Sequence, residues 1–137
     1  MWFQVDPRSN TPLYQQLIDG VKEAVAKQIL TPGERLPPVR EVASLIAINP
    51  NTIAKAYQEL EREGIIETFR GRGTFIAERQ NNAMNLDKEV ALQDLIEKLL
   101  VEAYYLEIEQ DELLQIIEKQ VKNWYRMGRE TKNEFGN

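Results

Sequence analysis

Asn51, Lys55, Gln58 and Arg62 recur at spacings of four, three and four, which sets amides and cations along one stripe of a helix. No carboxylate falls on that stripe, because Glu59, Glu61 and Glu63 point elsewhere. Amides pair with adenine edges and cations with guanine or phosphate, so such a face suits a helix laid in a major groove. A solvated helix face carrying charge pairs would look the same. Shortly downstream, Arg70-Gly71-Arg72-Gly73 places guanidiniums among glycines whose backbone can approach a phosphate closely. The same four residues would also make an ordinary soluble turn.

Other chemistries are closed off. The chain has no cysteine and no histidine, so disulfides, thiolate or imidazole metal ligands, cysteine nucleophiles and triads with a histidine base are excluded. No metal site and no cofactor is expected. Catalysis would fall to carboxylates, lysines, tyrosines or serines, but the acids sit on solvated helix faces without evident pairing. Lys55 has polar neighbours along its stripe, which leaves it without the desolvation a Schiff-base lysine needs. An enzyme is not expected.

The 137 residues are 42% hydrophobic and 28% charged, a globular composition. The longest apolar runs, Leu45–Ile48 and Ala103–Leu106, are four residues long, far below the roughly 20 that cross a bilayer. Met1–Asp6 has neither a basic start nor an apolar core of the kind that directs secretion. The expectation is a soluble, cytoplasmic protein with no membrane partner.

Net charge is −5, which at first opposes a nucleic-acid partner. Its distribution reverses that reading. Residues 1–79 hold ten basic and ten acidic side chains, whereas residues 80–137 hold seven basic against twelve acidic. The acid belongs to the last part of the chain, and the two parts do different work. Affinity for arbitrary DNA should be weak, since the neutral part has little surplus charge for phosphates.

The elements that must position these groups can be read along the chain. Thr11-Pro12 marks a helix start, with Thr11 as N-cap and Pro12 at the first helical position, and Leu13, Leu17, Val21, Ala24 and Val25 give it an apolar side to about Gln28. Pro32-Gly33 forms a type II turn, and Leu36-Pro37-Pro38 is extended. A second helix covers Val39 to about Ile46. Asn49-Pro50 starts a third that runs to Glu63 and stops at Gly64, with Ile53, Ala56, Tyr57 and Leu60 facing the core. Ile65–Phe69 and Thr74–Ala77 then make a β-hairpin around the arginine–glycine tip. Residues 2–6 suit a short strand or arm.

Three helices followed by a hairpin is the order of a winged helix-turn-helix. The run Leu36-Pro37-Pro38-Val39-Arg40-Glu41-Val42-Ala43, then Asn49-Pro50-Asn51-Thr52-Ile53, then Tyr57-Gln58-Glu59-Leu60-Glu61-Arg62-Glu63-Gly64-Ile65-Ile66 and Gly71-Arg72-Gly73-Thr74-Phe75-Ile76-Ala77 closely resembles the GntR-type winged-helix regulators. The entry Asp6-Pro7 with Pro12-Leu13-Tyr14-Gln15-Gln16-Leu17 is similar to the start of that domain, and Asn-Pro-Asn-Thr is similar to the YtrA-like subfamily. The resemblance covers about residues 4–78. It implies DNA contacts from Arg40, from Asn51 and Thr52, and from the wing tip. Together with the stripe, the candidate DNA-binding residues are Arg40, Asn49, Asn51, Thr52, Lys55, Gln58, Arg70, Gly71, Arg72 and Gly73. Pro50 and Ala54 stand where many relatives carry arginines, which shifts base readout towards Lys55 or Asn51. Pro38 and Ala47 replace the usual N-cap serine and turn glycine, which weakens the second helix and its turn.

Beyond an amide-rich linker at 80–85, two helical stretches are expected at about 86–107 and 110–127, with a tail from 129 to 137. Leu92, Leu99 and Leu106 recur at sevens, with Leu95, Ile96 and Ala103 beside them, and Leu113, Ile117, Val121 and Trp124 repeat at fours and threes. These stripes are wider than one antiparallel pair can bury. A two-fold dimer of such pairs covers them, and the resemblance implies the same use. A lone helical pair folded back on the first domain is the alternative. A small effector could sit at a dimer seam, near Tyr104, Tyr105, Trp124 and Tyr125, although aromatics at helical spacing are more often core.

The sequence thus leads to a mainly α fold with a small β-hairpin. A winged helix-turn-helix domain occupies 1–79, and a two-helix antiparallel dimerisation region 86–128. The expected function is a sequence-specific transcriptional regulator, a repressor, binding a palindromic operator in double-stranded DNA as a homodimer. The alternative is a winged-helix protein-interaction module.

Overall fold

The computed structural model describes the backbone of residues 4–78 and 87–135, with side chains as far as Gly128. The chain divides into two compact units, Met1–Ala83 and Met84–Asn137.

The first unit contains α1 (Leu13–Ala26), β1 (Arg35–Leu36), α2 (Val39–Ile46), α3 (Pro50–Arg62), β2 (Ile66–Phe69) and β3 (Gly73–Ile76). Helix α1 turns Leu17, Ile18, Val21 and Ala24 inward, and α3 answers with Ile53, Ala56, Tyr57 and Leu60. Val42 and Ala43 of α2 and Leu36, Ile66 and Ile76 of the strands complete one apolar core. Within the described residues this core contains no buried polar or charged side chain.

The local signals are used much as the chemistry dictates. Asn49 caps α3 by accepting the Asn51 amide at 2.8 Å, Pro50 fills the first turn, and Gly64 takes φ +79° just beyond the helix. Gly33 has φ +84° with Glu34 N–H donating to Thr31 C=O at 3.0 Å, as a type II turn requires. Ala47 adopts the left-handed conformation, φ 55° and ψ 47°, between α2 and α3. An alanine there is strained by about 1 kcal/mol relative to glycine.

Four expectations about this unit need correction. The N-cap of α1 is Pro12 rather than Thr11, with no side-chain cap. The entry segment is held instead by Gln16, which accepts from the Asp6 amide at 2.9 Å and donates to the carbonyls of Asp6 and Thr11 at 2.9 and 2.7 Å. Helix α1 ends at Ala26 because Gln28 turns to φ +63°. The hairpin is part of a three-stranded antiparallel sheet in the order β1-β3-β2, since Arg35 pairs with Phe75 and Leu36 with Thr74. The short strand or arm expected at 2–6 forms no strand at residues 4–6, and residues 1–3 lie outside the described ones.

The second unit contains α4 (Lys88–Tyr105) and α5 (Gln110–Phe135). Asp87 caps α4 through the Glu89 amide at 2.9 Å, and Glu107 turns the chain at φ +58°. Helix α5 runs to Phe135, past the expected end at 127, because a lone Gly128 costs a helix only about 1 kcal/mol and no cap or proline follows it. The linker assigned to 80–85 lies outside the described residues.

The antiparallel pairing of α4 with α5 does not form within the chain, as the two helices do not pack along their length. Of the apolar side chains described on them, only Ala103 is buried, with Leu113 and Ile117 half-buried. Leu92, Leu95, Ile96, Leu99 and Leu106 are between 42% and 68% exposed, and Val121 and Trp124 are exposed too. Apolar residues sit on several sides of α4, and one neighbouring helix cannot cover them. No helix among the described residues is long and apolar enough to cross a membrane.

Candidate nucleic-acid interface

Helix α3 shows its apolar stripe to the core and the stripe of Asn51, Lys55, Gln58 and Arg62 to solvent. The first three of these have no side-chain hydrogen bond or ion pair among the described residues. Arg62 does not belong with them. Its guanidinium makes two hydrogen bonds to Glu59, one at 2.9 Å, so its charge is matched within the helix. That pair holds the Glu59 carboxyl below its usual range and raises the Arg62 guanidinium above its own. The unpaired part of the stripe therefore ends at Gln58. Thr52 is half-buried in the first turn, and Asn49 spends its side-chain oxygen on the cap, leaving only its amide nitrogen to donate.

A part-buried hydrogen bond adds to the core packing that places α3. The Tyr57 hydroxyl donates to the Pro37 carbonyl at 2.7 Å, across 20 residues of chain, tying α3 to the segment that enters α2. Lys22 on α1 meets Glu63 at 3.3 Å near the other end of α3. Arg40, exposed in the first turn of α2, belongs to the segment Tyr57 grips.

Burial, reinforced by the Glu41 carboxylate, pushes the Tyr57 phenol up to about 12 from its ordinary 10. The neutral hydroxyl is thus favoured in the folded state. Its contribution is complete below pH 10 and is lost as the pH climbs from 10 towards 12, where the unfolded chain ionises first. Urea unfolding followed across that window should show stability falling, with about 2 to 3 kcal/mol of the fall traceable to this group. Tyr57→Phe should make the fall shallower by that amount. An unchanged profile in the variant would show that Tyr57 does not carry it.

At the hairpin tip, Arg72 N–H donates to Phe69 C=O at 2.9 Å, closing the turn. Gly71 at φ +81° and Gly73 at φ +115° occupy backbone regions that side chains rarely tolerate. Arg70 and Arg72 are exposed, and neither forms an ion pair among the described residues. Alternation through the sheet turns Leu36, Thr68, Thr74, Ile66 and Ile76 to one face, with Ile66 and Ile76 in the core. Arg35, Gly73, Phe75, Glu67 and Phe69 share the other, where the Phe69 and Phe75 rings lie 5.9 Å apart.

The structure thus joins Arg40 and the α3 stripe through the Tyr57–Pro37 bond, and joins β1 to the wing through the sheet. Arg35 escaped the sequence reading because its strand is two residues long and borders prolines. In the second unit, Tyr104 and Tyr105 stand edge to face with centroids 5.2 Å apart, but both are about three-quarters exposed and enclose nothing within one chain.

Comparisons with known proteins agree with this geometry. The family described as "Bacterial regulatory proteins, gntR family" matches residues 13–76. The chain is 48% identical over 110 residues to the HTH-type transcriptional repressor YtrA of Bacillus subtilis, covering 80% of this chain and 85% of that protein. Among solved structures it is similar to a transcriptional antiterminator from Listeria monocytogenes, with a TM-score of 0.76 and 34% identity over 89% of this chain and 91% of that one. It is also similar to YtrA from Sulfolobus acidocaldarius, described as a GntR-family transcription factor, with a TM-score of 0.60 and 32% identity over 74% of this chain and 99% of that one.

Proposed function

The chain belongs to the gntR family of bacterial regulatory proteins and is a DNA-binding transcriptional regulator, and from that premise we propose that it acts as a homodimeric repressor on a palindromic operator. One observation carries the DNA half of this reading. Asn51, Lys55 and Gln58 stand unpaired on a helix fixed by the Tyr57–Pro37 bond, beside Arg40 and with an arginine-bearing wing on the same domain. In a two-fold dimer, α3 from each protomer enters successive major grooves about 34 Å apart, and the wings meet the flanking backbone or minor groove. Support for the dimer comes from α4, whose apolar sides are left open by its own chain. In the same reading, a small effector would bind where a second copy covers Tyr104 and Tyr105, and the protein works in the cytoplasm.

Fluorescence anisotropy with the duplex upstream of the protein's own gene, beside a scrambled duplex at two salt concentrations, tests this function. Tight binding to the native duplex alone, at two protomers per duplex, is the expected result. Equal, weak, salt-sensitive binding to both duplexes would count against that duplex as the operator, and a selection of bound genomic fragments would then have to yield a palindrome. Arg40→Ala and Lys55→Ala should each weaken operator binding by about 1 to 3 kcal/mol per contact and leave the sedimentation of the dimer unchanged. Loss of the dimer in either variant would remove that residue from the DNA face.

A further inference from the structure

We propose that Arg35 is a third wing arginine, binding a backbone phosphate beside the groove that the wing enters. The assignment rests on the DNA-binding reading above and extends it to a residue outside the recognition helix and the hairpin tip. Arg35 lies on β1 and pairs with Phe75 of β3. Because Leu36 faces the core, alternation turns Arg35 to the outer face of the sheet, where it is exposed.

Its side chain does not stand straight out. A Cβ built on Gly73 would meet Arg35 Nε at 3.0 Å and Nη2 at 3.3 Å, so the guanidinium lies directly over the bare backbone of Gly73. Gly73 is two residues from Phe75 on the same face, which means that Arg35 leans along the strand towards the tip carrying Arg70 and Arg72. The glycine serves two purposes here, permitting φ +115° and leaving the seat on which the guanidinium rests. Glu67 shares the outer face, but it lies beyond Phe75 in the register and forms no ion pair with Arg35. Among the described residues Arg35 has no ion-pair or hydrogen-bonding side-chain partner. An unmatched guanidinium with its fork near the wing tip is suited to a phosphate oxygen, and carries no base information from that position.

A backbone contact acts on any duplex, so random-sequence DNA tests it beside the operator. The full-length protein, Arg35→Gln and Arg35→Lys are titrated onto a random-sequence duplex and onto the selected operator over a series of salt concentrations. Arg35→Gln should weaken both duplexes by a similar factor, roughly tenfold at low salt, and should reduce the slope of log Kd against log salt by about two per dimer. Arg35→Lys keeps the charge and should keep most of the slope. An unchanged slope in Arg35→Gln overturns the assignment, as does a loss confined to the operator, which would make Arg35 a base reader. Equal losses in Arg35→Lys and Arg35→Gln at constant slope would reduce it to a strut for the wing and also overturn it. If the unaltered protein shows no salt-dependent affinity for any duplex, the DNA-binding function itself fails, which is a separate result from binding that Arg35→Gln leaves intact.

Discussion

Leu99→Asp should convert the proposed dimer to monomers and lower affinity for the proposed palindromic operator about a thousandfold. Leu99 is the middle member of the Leu92, Leu99 and Leu106 repeat along α4 and its C-cap, and at 42% it is the least exposed of the three. It lies outside the buried core of its own chain, so the effect reports chiefly on the contact with a second copy. A carboxylate placed in an apolar seam loses its water without gaining a partner, which a dimer interface tolerates poorly. Each α3 would still dock on a half-site, but the second docking would no longer benefit from the first. Sedimentation equilibrium reports the assembly, and anisotropy on full and half operators reports the coupling. A variant that stays dimeric and keeps full affinity would show that α4 is covered by something else.

Leu60→Ala should cost about 3 kcal/mol of stability. Leu60 is fully buried where α3 meets α1, within the cluster formed with Leu17, Val21 and Ile53. Removing three carbons there leaves a cavity that neighbours on two helices and a sheet cannot collapse to fill. Leu45→Ala is the matched control, since Leu45 on α2 is 62% exposed; its loss should stay within about 0.5 kcal/mol. Chemical denaturation of both variants decides the comparison. Equal losses would mean that burial is not what distinguishes the two leucines.

The contrast between those leucines also shows what a sequence makes legible. Ile53, Ala56, Tyr57 and Leu60 could be assigned to the core because helical spacing is a long-range pattern with several members, and all of them are buried. The Asn49-Pro50 start and the Gly64 stop were equally readable, as each answers a specific unsatisfied group or backbone angle. Strand β1 was not, because two residues establish no period, and its pairing with β3 is decided by contacts about 40 positions away. Arg62 looked like a readout group by spacing alone, yet its geometry lets Glu59 claim it. Thr11 carried a capping side chain that the fold does not use, since Gln16 holds the entry instead. Pairing of α4 with α5 failed for a related reason: periodicity names the faces that must be covered, but not the chain that covers them.

The Tyr57–Pro37 bond has a thermodynamic corollary. Together with the Asn49 cap it fixes the start of α3, and its relation to α2, before any duplex is present. A reading head assembled in advance loses little conformational freedom when it docks. The heat capacity change of operator association should accordingly match the surface removed from water in the complex, with no additional component from coupled folding. Discrimination between operators then depends on how far each DNA sequence deforms to meet a rigid α2–α3 frame, so the pliancy of base steps that the protein never touches becomes part of what it recognises.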